Sequence, residues 1–157
     1  MIRLLIVGFG NPLRSDDALG WHIAQELSRR LVRDDVQVIA THQLTPEVAE
    51  AASQSEHTVF VDAALQGTPG SLSCEQVSPA ATINRHSHEL CPAGVLKLAT
   101  ELYGHCPSAQ LLTIGGESFE IGETMSASVV AAIPAVLAEI RRLVDGDQER
   151  ADWQPAR

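Results

Sequence analysis

The residues best able to do chemistry lie near the start of the chain, in Gly8-Phe9-Gly10-Asn11-Pro12-Leu13-Arg14-Ser15-Asp16-Asp17. Two adjacent carboxylates follow a short apolar run and a loop broken by glycine and proline, a pattern that reads as strand, loop and helix start. Asp62 closes a second apolar run, His57-Thr58-Val59-Phe60-Val61, and His86 and His88 stand in a polar stretch further on. Carboxylate oxygens with imidazole nitrogen suit zinc, nickel, manganese or iron, so Asp17, Asp62 and His88 could hold a divalent cation from three separate loops. A cation held that way with an open position polarises a carbonyl or activates water. Each residue also has a plainer role. Asp16 or Asp17 could cap the helix or meet its dipole. Asp62 must face a crevice or find donors. His88, like His42, His57, His86 and His105, could be an ordinary structural or surface histidine.

The elements that must position these groups follow from hydrophobic periodicity. A first strand covers about residues 3–8, and a helix over about 16–31 carries the stripe Leu19, Ile23, Ala24, Leu27 and Leu31. A second strand covers 36–40, and Pro46 opens a short helix over 46–53. Residues 57–62 have the β-branched and aromatic composition of a buried strand, and 71–77 read as a polar edge strand. A helix is predicted from Ser87 or His88, with Pro92 in its first turns and Gly104 ending it. Residues 110–115 form a fifth strand, 116–124 a glycine-rich acidic loop, and 126–144 a last helix containing Pro134. Strands alternating with helices imply an α/β fold: a mainly parallel sheet with helices on both faces. Strand ends then converge on one rim that gathers Asp16, Asp17, His42, Asp62 and the 116–124 loop, which is where open α/β sheets bind ligands. Residues 1–144 read as one domain and 145–157 as a polar tail.

Composition narrows the possibilities. The 157 residues carry a net charge of -9, from 20 acidic against 11 basic side chains, with no Lys/Arg block, so neither nucleic acid nor an anionic membrane is an expected partner. The apolar start is interrupted at Gly8 and is neither a signal peptide nor a membrane span, which predicts a cytoplasmic protein. Three cysteines without framework spacing argue against a disulfide scaffold. Gly8-Phe9-Gly10 suggests dinucleotide binding, but Leu13 stands where the third glycine would let helix, sheet and pyrophosphate approach, and the paired carboxylates would repel phosphate. A His/Cys zinc site from His86, His88, Cys91, His105 and Cys106 would have to span a whole helix. No Gly-x-Ser-x-Gly elbow is present. The alternative from another class is a receiver-like phospho-acceptor module with an acidic cation site. It would need a lysine after the fifth strand, where the sequence has Gly115-Gly116-Glu117.

Gly8-Phe9-Gly10-Asn11-Pro12-Leu13 with Ser15-Asp16-Asp17 and Gly20, then Val61-Asp62-Ala63, then His86-Ser87-His88-Glu89-Leu90, resembles the hydrogenase maturation protease family. The resemblance implies a three-layer α/β/α sandwich around a five-stranded sheet. It also implies an aspartyl-type endopeptidase that trims the C-terminal extension from the large subunit of a nickel-iron hydrogenase. By position Asp17, Asp62 and His88 would be both metal ligands and catalytic residues. The metal implied is nickel already inserted in the precursor, with zinc or cadmium as substitutes in vitro, so the protease would read nickel loading before cutting. His42 falls where the family has a substrate-facing segment. The chain departs from the family in placing Thr124 where a further glycine is frequent.

Overall fold

The computed structural model describes residues 1–82 and 89–146. The chain begins with strand β1 (Ile2–Phe9), whose successive side chains enter two different cores. Leu4 and Ile6 pack on one face of the sheet, Leu5 and Val7 on the other. A strand apolar on both faces belongs at the centre of a sheet covered on both sides. A single 3-10 turn, Ser15–Ala18, leads into helix α1 (Leu19–Arg30), followed by β2 (Val36–Thr41), α2 (Pro46–Ser53) and β3 (Ser55–Ala64). The second half comprises β4 (Leu72–Gln76), α3 (Pro92–Tyr103), β5 (Ser108–Gly115) and α4 (Ala127–Val144).

The sheet runs in the order β2-β1-β3-β5-β4. Its first four strands are parallel, and β4 pairs antiparallel to β5 at the edge. Leu19, Ile23 and Leu27 of α1 and Val129, Val136 and Ile140 of α4 cover the face bearing Val59, Val61, Leu112 and Ile114. Val48 and Ala52 of α2, with Val95, Leu96 and Ala99 of α3, cover the face bearing Phe60. The expected three-layer α/β/α sandwich is therefore the observed one. Strand order reverses between β1 and β3, so their carboxyl ends open a crevice at a topological switch point. Asp17 follows β1 and Asp62 lies on β3, one on each side of it.

Several boundaries differ from expectation. Helix α3 starts at Pro92 and not near residue 88, with Cys91 extended at φ -100°, ψ 167°. Proline disfavours helical geometry in the residue before it, so the helix cannot grow backward through Cys91. Strand β3 runs two residues past Asp62, to Ala64, because Asp62 and Ala63 still pair with Thr113 and Ile114 of β5. Helix α3 does end at Gly104, in the left-handed conformation at φ 74°.

Close helix-to-sheet contact was not expected with Leu13 in the place of the third fingerprint glycine, yet it is present. Gly20 supplies it instead. A Cβ on Gly20 would lie 2.1 Å from the carbonyl oxygen of Val61 and 2.5 Å from that of Phe9. The contact draws the start of α1 down onto β1 and β3, which places the preceding turn and its carboxylates at the crevice. Gly20→Ala is expected to destabilise the protein by about 3 kcal/mol, since the clash is with backbone that cannot step aside. Urea unfolding should show a lower midpoint with an unchanged slope.

Candidate active site

A cavity of about 470 Å³ opens over the carboxyl ends of β1 and β3, and Asp17, His42, Asp62 and Glu89 line it together with Gly10, Asn11 and Arg14. Both described members of the predicted ligand set thus face one space. His88 and His86 lie outside the described residues, while Glu89 and Leu90, which follow them, line the cavity.

The adjacent carboxylates of the opening motif have separate fates. Asp17 is half-buried, and its Oδ2 accepts the Asn11 backbone N–H at 2.8 Å, closing the loop into a ring that faces the cavity. Gly10 is required where this loop folds over, because its φ of 147° is paired with a would-be Cβ only 1.8 Å from the Asp17 carbonyl oxygen. Asp16 points the other way and is fully buried. Its Oδ2 accepts the N–H groups of Glu117 at 2.8 Å and Ser118 at 3.0 Å and the Ser126 hydroxyl at 2.7 Å. Its Oδ1 accepts the Ser126 N–H at 2.6 Å. Burial opposes ionisation of this carboxyl, but the bonds from Ser118, Ser126 and Glu117 outweigh it and hold the group below the usual carboxylate range.

Neither carboxylate caps its own helix, contrary to the plainer reading of the sequence. The turn that contains them has Arg14 at its N-cap and no side-chain cap. Asp16 instead binds the N-cap residue of a different helix, Ser126 at the start of α4. The backbone contributes to the same junction. Ser15, at φ 52°, donates its N–H to Gly122 and its hydroxyl to Glu120, and Gly122 donates to the Leu13 carbonyl.

Among the described residues Asp62 has a single donor. Its Oδ1 accepts the adjacent Ala63 N–H at 2.8 Å. Burial is the main cause of its displacement; the Ala63 bond works against it and the Asp17 charge adds to it, so the carboxyl is pushed up to about 7. Such a carboxyl can hold or release a proton near neutrality, the property required of a general acid or base. His42 lies against Trp21, with ring centroids 5.8 Å apart. The other described candidates are structural. His57 bonds Ser108 and Gln110, His105 bonds the Ser55 carbonyl, and all three cysteines are free thiols. Among the described residues no three His, Cys, Asp or Glu side chains are grouped to hold one metal ion, so within them the site is a carboxylate pair. Asn11, Arg14 and Phe119 are cavity residues that sequence reasoning did not select. Asn11 contributes a main-chain N–H, which carries no side-chain signal, and Phe119 arrives on a loop held by Asp16.

The fold is that of solved endopeptidases. Hydrogenase maturating endopeptidase HybD from E. coli matches with a TM-score of 0.74 at 22% identity, covering 92% of this chain and 94% of that one. The [NiFe] hydrogenase maturation protease HycI from Thermococcus kodakarensis KOD1 matches with a TM-score of 0.74 at 22% identity, over 92% and 93%. Among curated proteins, hydrogenase 2 maturation protease of Escherichia coli (strain K12) is 29% identical over 153 residues, covering 89% of this chain and 92% of the relative. No family model matches the sequence. The resemblance to the hydrogenase maturation proteases drawn from a few motifs therefore extends over nearly the whole chain.

The two buried carboxylates predict opposite pH dependences. Asp62 is raised from about 3.8 to about 7 on folding, so the unfolded chain releases its proton first and stability falls as pH rises across that window. Asp62→Asn, which keeps an acceptor for Ala63, should melt higher than wild type at pH 8, with the gain vanishing near pH 3.5. Asp16 is lowered on folding, so its contribution is complete above the unfolded pKa and is lost as pH falls through the folded one. Asp16→Asn should cost about 3 kcal/mol at pH 7, by turning an acceptor toward two N–H donors into a donor. Thermal melts across pH check both.

Proposed function

We propose that this chain is an endopeptidase that removes the C-terminal extension of a nickel-iron hydrogenase large-subunit precursor after nickel insertion. The observation that carries the reading is the pairing of Asp17 and Asp62 across one switch-point cavity, in a chain related to a hydrogenase 2 maturation protease. Asp17, Asp62 and His88 are assigned to the metal and to catalysis. The nickel is part of the substrate and arrives with the precursor, and zinc or cadmium would occupy the same ligands in vitro. Carboxylate oxygens with an imidazole nitrogen suit such an ion. Its presence would polarise the scissile carbonyl or activate the attacking water.

The chain's own groups would do the rest. Asp17 and Asp62, on opposite sides of the cavity, would orient the nickel-bearing end of the precursor and the attacking water between them. His42, on the cavity wall after β2, contacts the precursor peptide. Asp16, turned away from the cavity, takes no part in the chemistry and holds the site's far wall. The proposed place of action is the cytoplasm, and among the described residues no helix is long and apolar enough to cross a membrane.

The receiver-like alternative is not favoured. The edge strand β4 runs antiparallel to its neighbour, unlike the parallel five-stranded sheet of such modules, and no lysine follows β5.

Asp17→Asn, Asp62→Asn and His88→Gln should each retain the wild-type circular dichroism spectrum and lower precursor processing by at least about 100-fold, since each removes a charge or ligand and no core packing. Shortening of the large subunit on a gel reads this directly. Retained cleavage in all three variants would overturn the assignment. Precursor prepared without nickel should stay at full length under the same conditions.

A further inference from the structure

The cavity contains one group that the carboxylate chemistry leaves unused. Among the described residues that line it, Arg14 is the only lysine or arginine. Its Nε donates to the Phe119 carbonyl oxygen at 3.2 Å, which fixes the guanidinium plane against the loop after β5. The two terminal nitrogens carry four further N–H donors, and among the described residues they have no hydrogen-bond or ion-pair partner.

Arg14 does not serve to neutralise the neighbouring carboxylates. No described carboxylate lies within ion-pair distance of it. The Arg14 N–H donates to the Asn11 carbonyl at 3.1 Å, its own carbonyl accepts from Asp17 at 3.1 Å, and its backbone bridges to Gly122. The next residue, Ser15, is the only described non-glycine residue with positive φ. Backbone strain next to an exposed arginine at a cavity wall marks a position that the surrounding contacts over-determine.

We propose that Arg14 binds the scissile carbonyl oxygen of the precursor peptide and stabilises the oxyanion that forms there. This rests on the protease reading above. During hydrolysis the water oxygen bonds to the carbonyl carbon and the carbonyl electron pair moves onto oxygen. When the adduct collapses, the C–N bond breaks and the proton from water passes to the leaving nitrogen. Planar, pre-positioned N–H donors aimed at the oxygen that gains charge lower that barrier without reorganising. A guanidinium meets two lone pairs of one oxygen, or both oxygens of the new C-terminal carboxylate, where an ammonium offers a point charge.

Single-turnover cleavage of nickel-loaded precursor by wild type, Arg14→Lys, Arg14→Gln and Arg14→Ala tests this, alongside precursor binding by fluorescence anisotropy. Arg14→Gln should cleave about 100-fold more slowly with Kd changed less than about threefold, and Arg14→Lys should recover part of the loss. Methylguanidine added to Arg14→Ala should restore cleavage, and added to Asp17→Asn it should not. Cleavage by Arg14→Gln within threefold of wild type, a loss confined to Kd, or failure of rescue with the variant folded overturns the oxyanion role alone. Absence of cleavage by wild type overturns the protease reading, and the Arg14 role with it.

Discussion

The site depends on one buried carboxylate that faces away from it. Asp16 is fully enclosed, yet it stays ionised because four donors from Glu117, Ser118 and Ser126 converge on it. Hydrogen bonds to an ionised acceptor are worth more than neutral ones, and leaving such a charge unsatisfied would be far more costly than never burying it. Displacing the loop after β5 would therefore strand a buried charge, which holds that loop in place. Ser15 and Gly122 close the same seam through the backbone. Through this junction Phe119, more than a hundred positions away in sequence, comes to line the cavity beside Arg14 and Asp17.

The second constraint is steric. Gly20 presses against the Val61 and Phe9 carbonyls, and Gly8 in turn leaves no room for a side chain beside Gly20. Helix α1 is thus seated directly over the gap between β1 and β3, and the turn before it is carried to the switch point. The glycines have a packing role with no nucleotide involved. The same two-strand gap that serves pyrophosphate in dinucleotide folds here holds two carboxylates. Their proximity, added to the burial of Asp62, gives the rim one carboxyl whose protonation is balanced near neutrality.

Stability and chemistry are kept at opposite ends of the sheet. Around the amino ends of the strands, Arg3 donates to the last carbonyls of α4, at Leu143 and Val144, and pairs with Asp35. Cys74, Gln110, His57 and Ser108 form a continuous hydrogen-bonded chain across β4, β5 and β3. Each of these groups has a partner among its neighbours, which is the condition for burying polar atoms without penalty. At the carboxyl ends the opposite holds: among the described residues Asp62 has one donor, and Arg14 uses only its Nε. Unspent hydrogen-bonding capacity of this kind is what a peptide substrate would complete.

The sequence alone determined the layered α/β architecture, the short helix opening at Pro46, the end of α3 at Gly104 and the placing of Asp17 and Asp62 at one rim. These follow from period, proline and glycine stereochemistry, and the geometry of parallel sheets, all of which act locally or by topology. Tertiary structure decided what the other carboxylate of the opening pair, Asp16, does. Local rules offered both as helix caps, and neither is one, because Asp16 finds better donors on a distant loop. It also decided that Gly20 brings the helix onto the sheet, that Asp62 loses its charge near neutrality, and that Arg14 lines the same cavity as the two carboxylates with no ion pair among the described residues. Those outcomes depend on distances between segments far apart in the chain, and no spacing along the sequence encodes them.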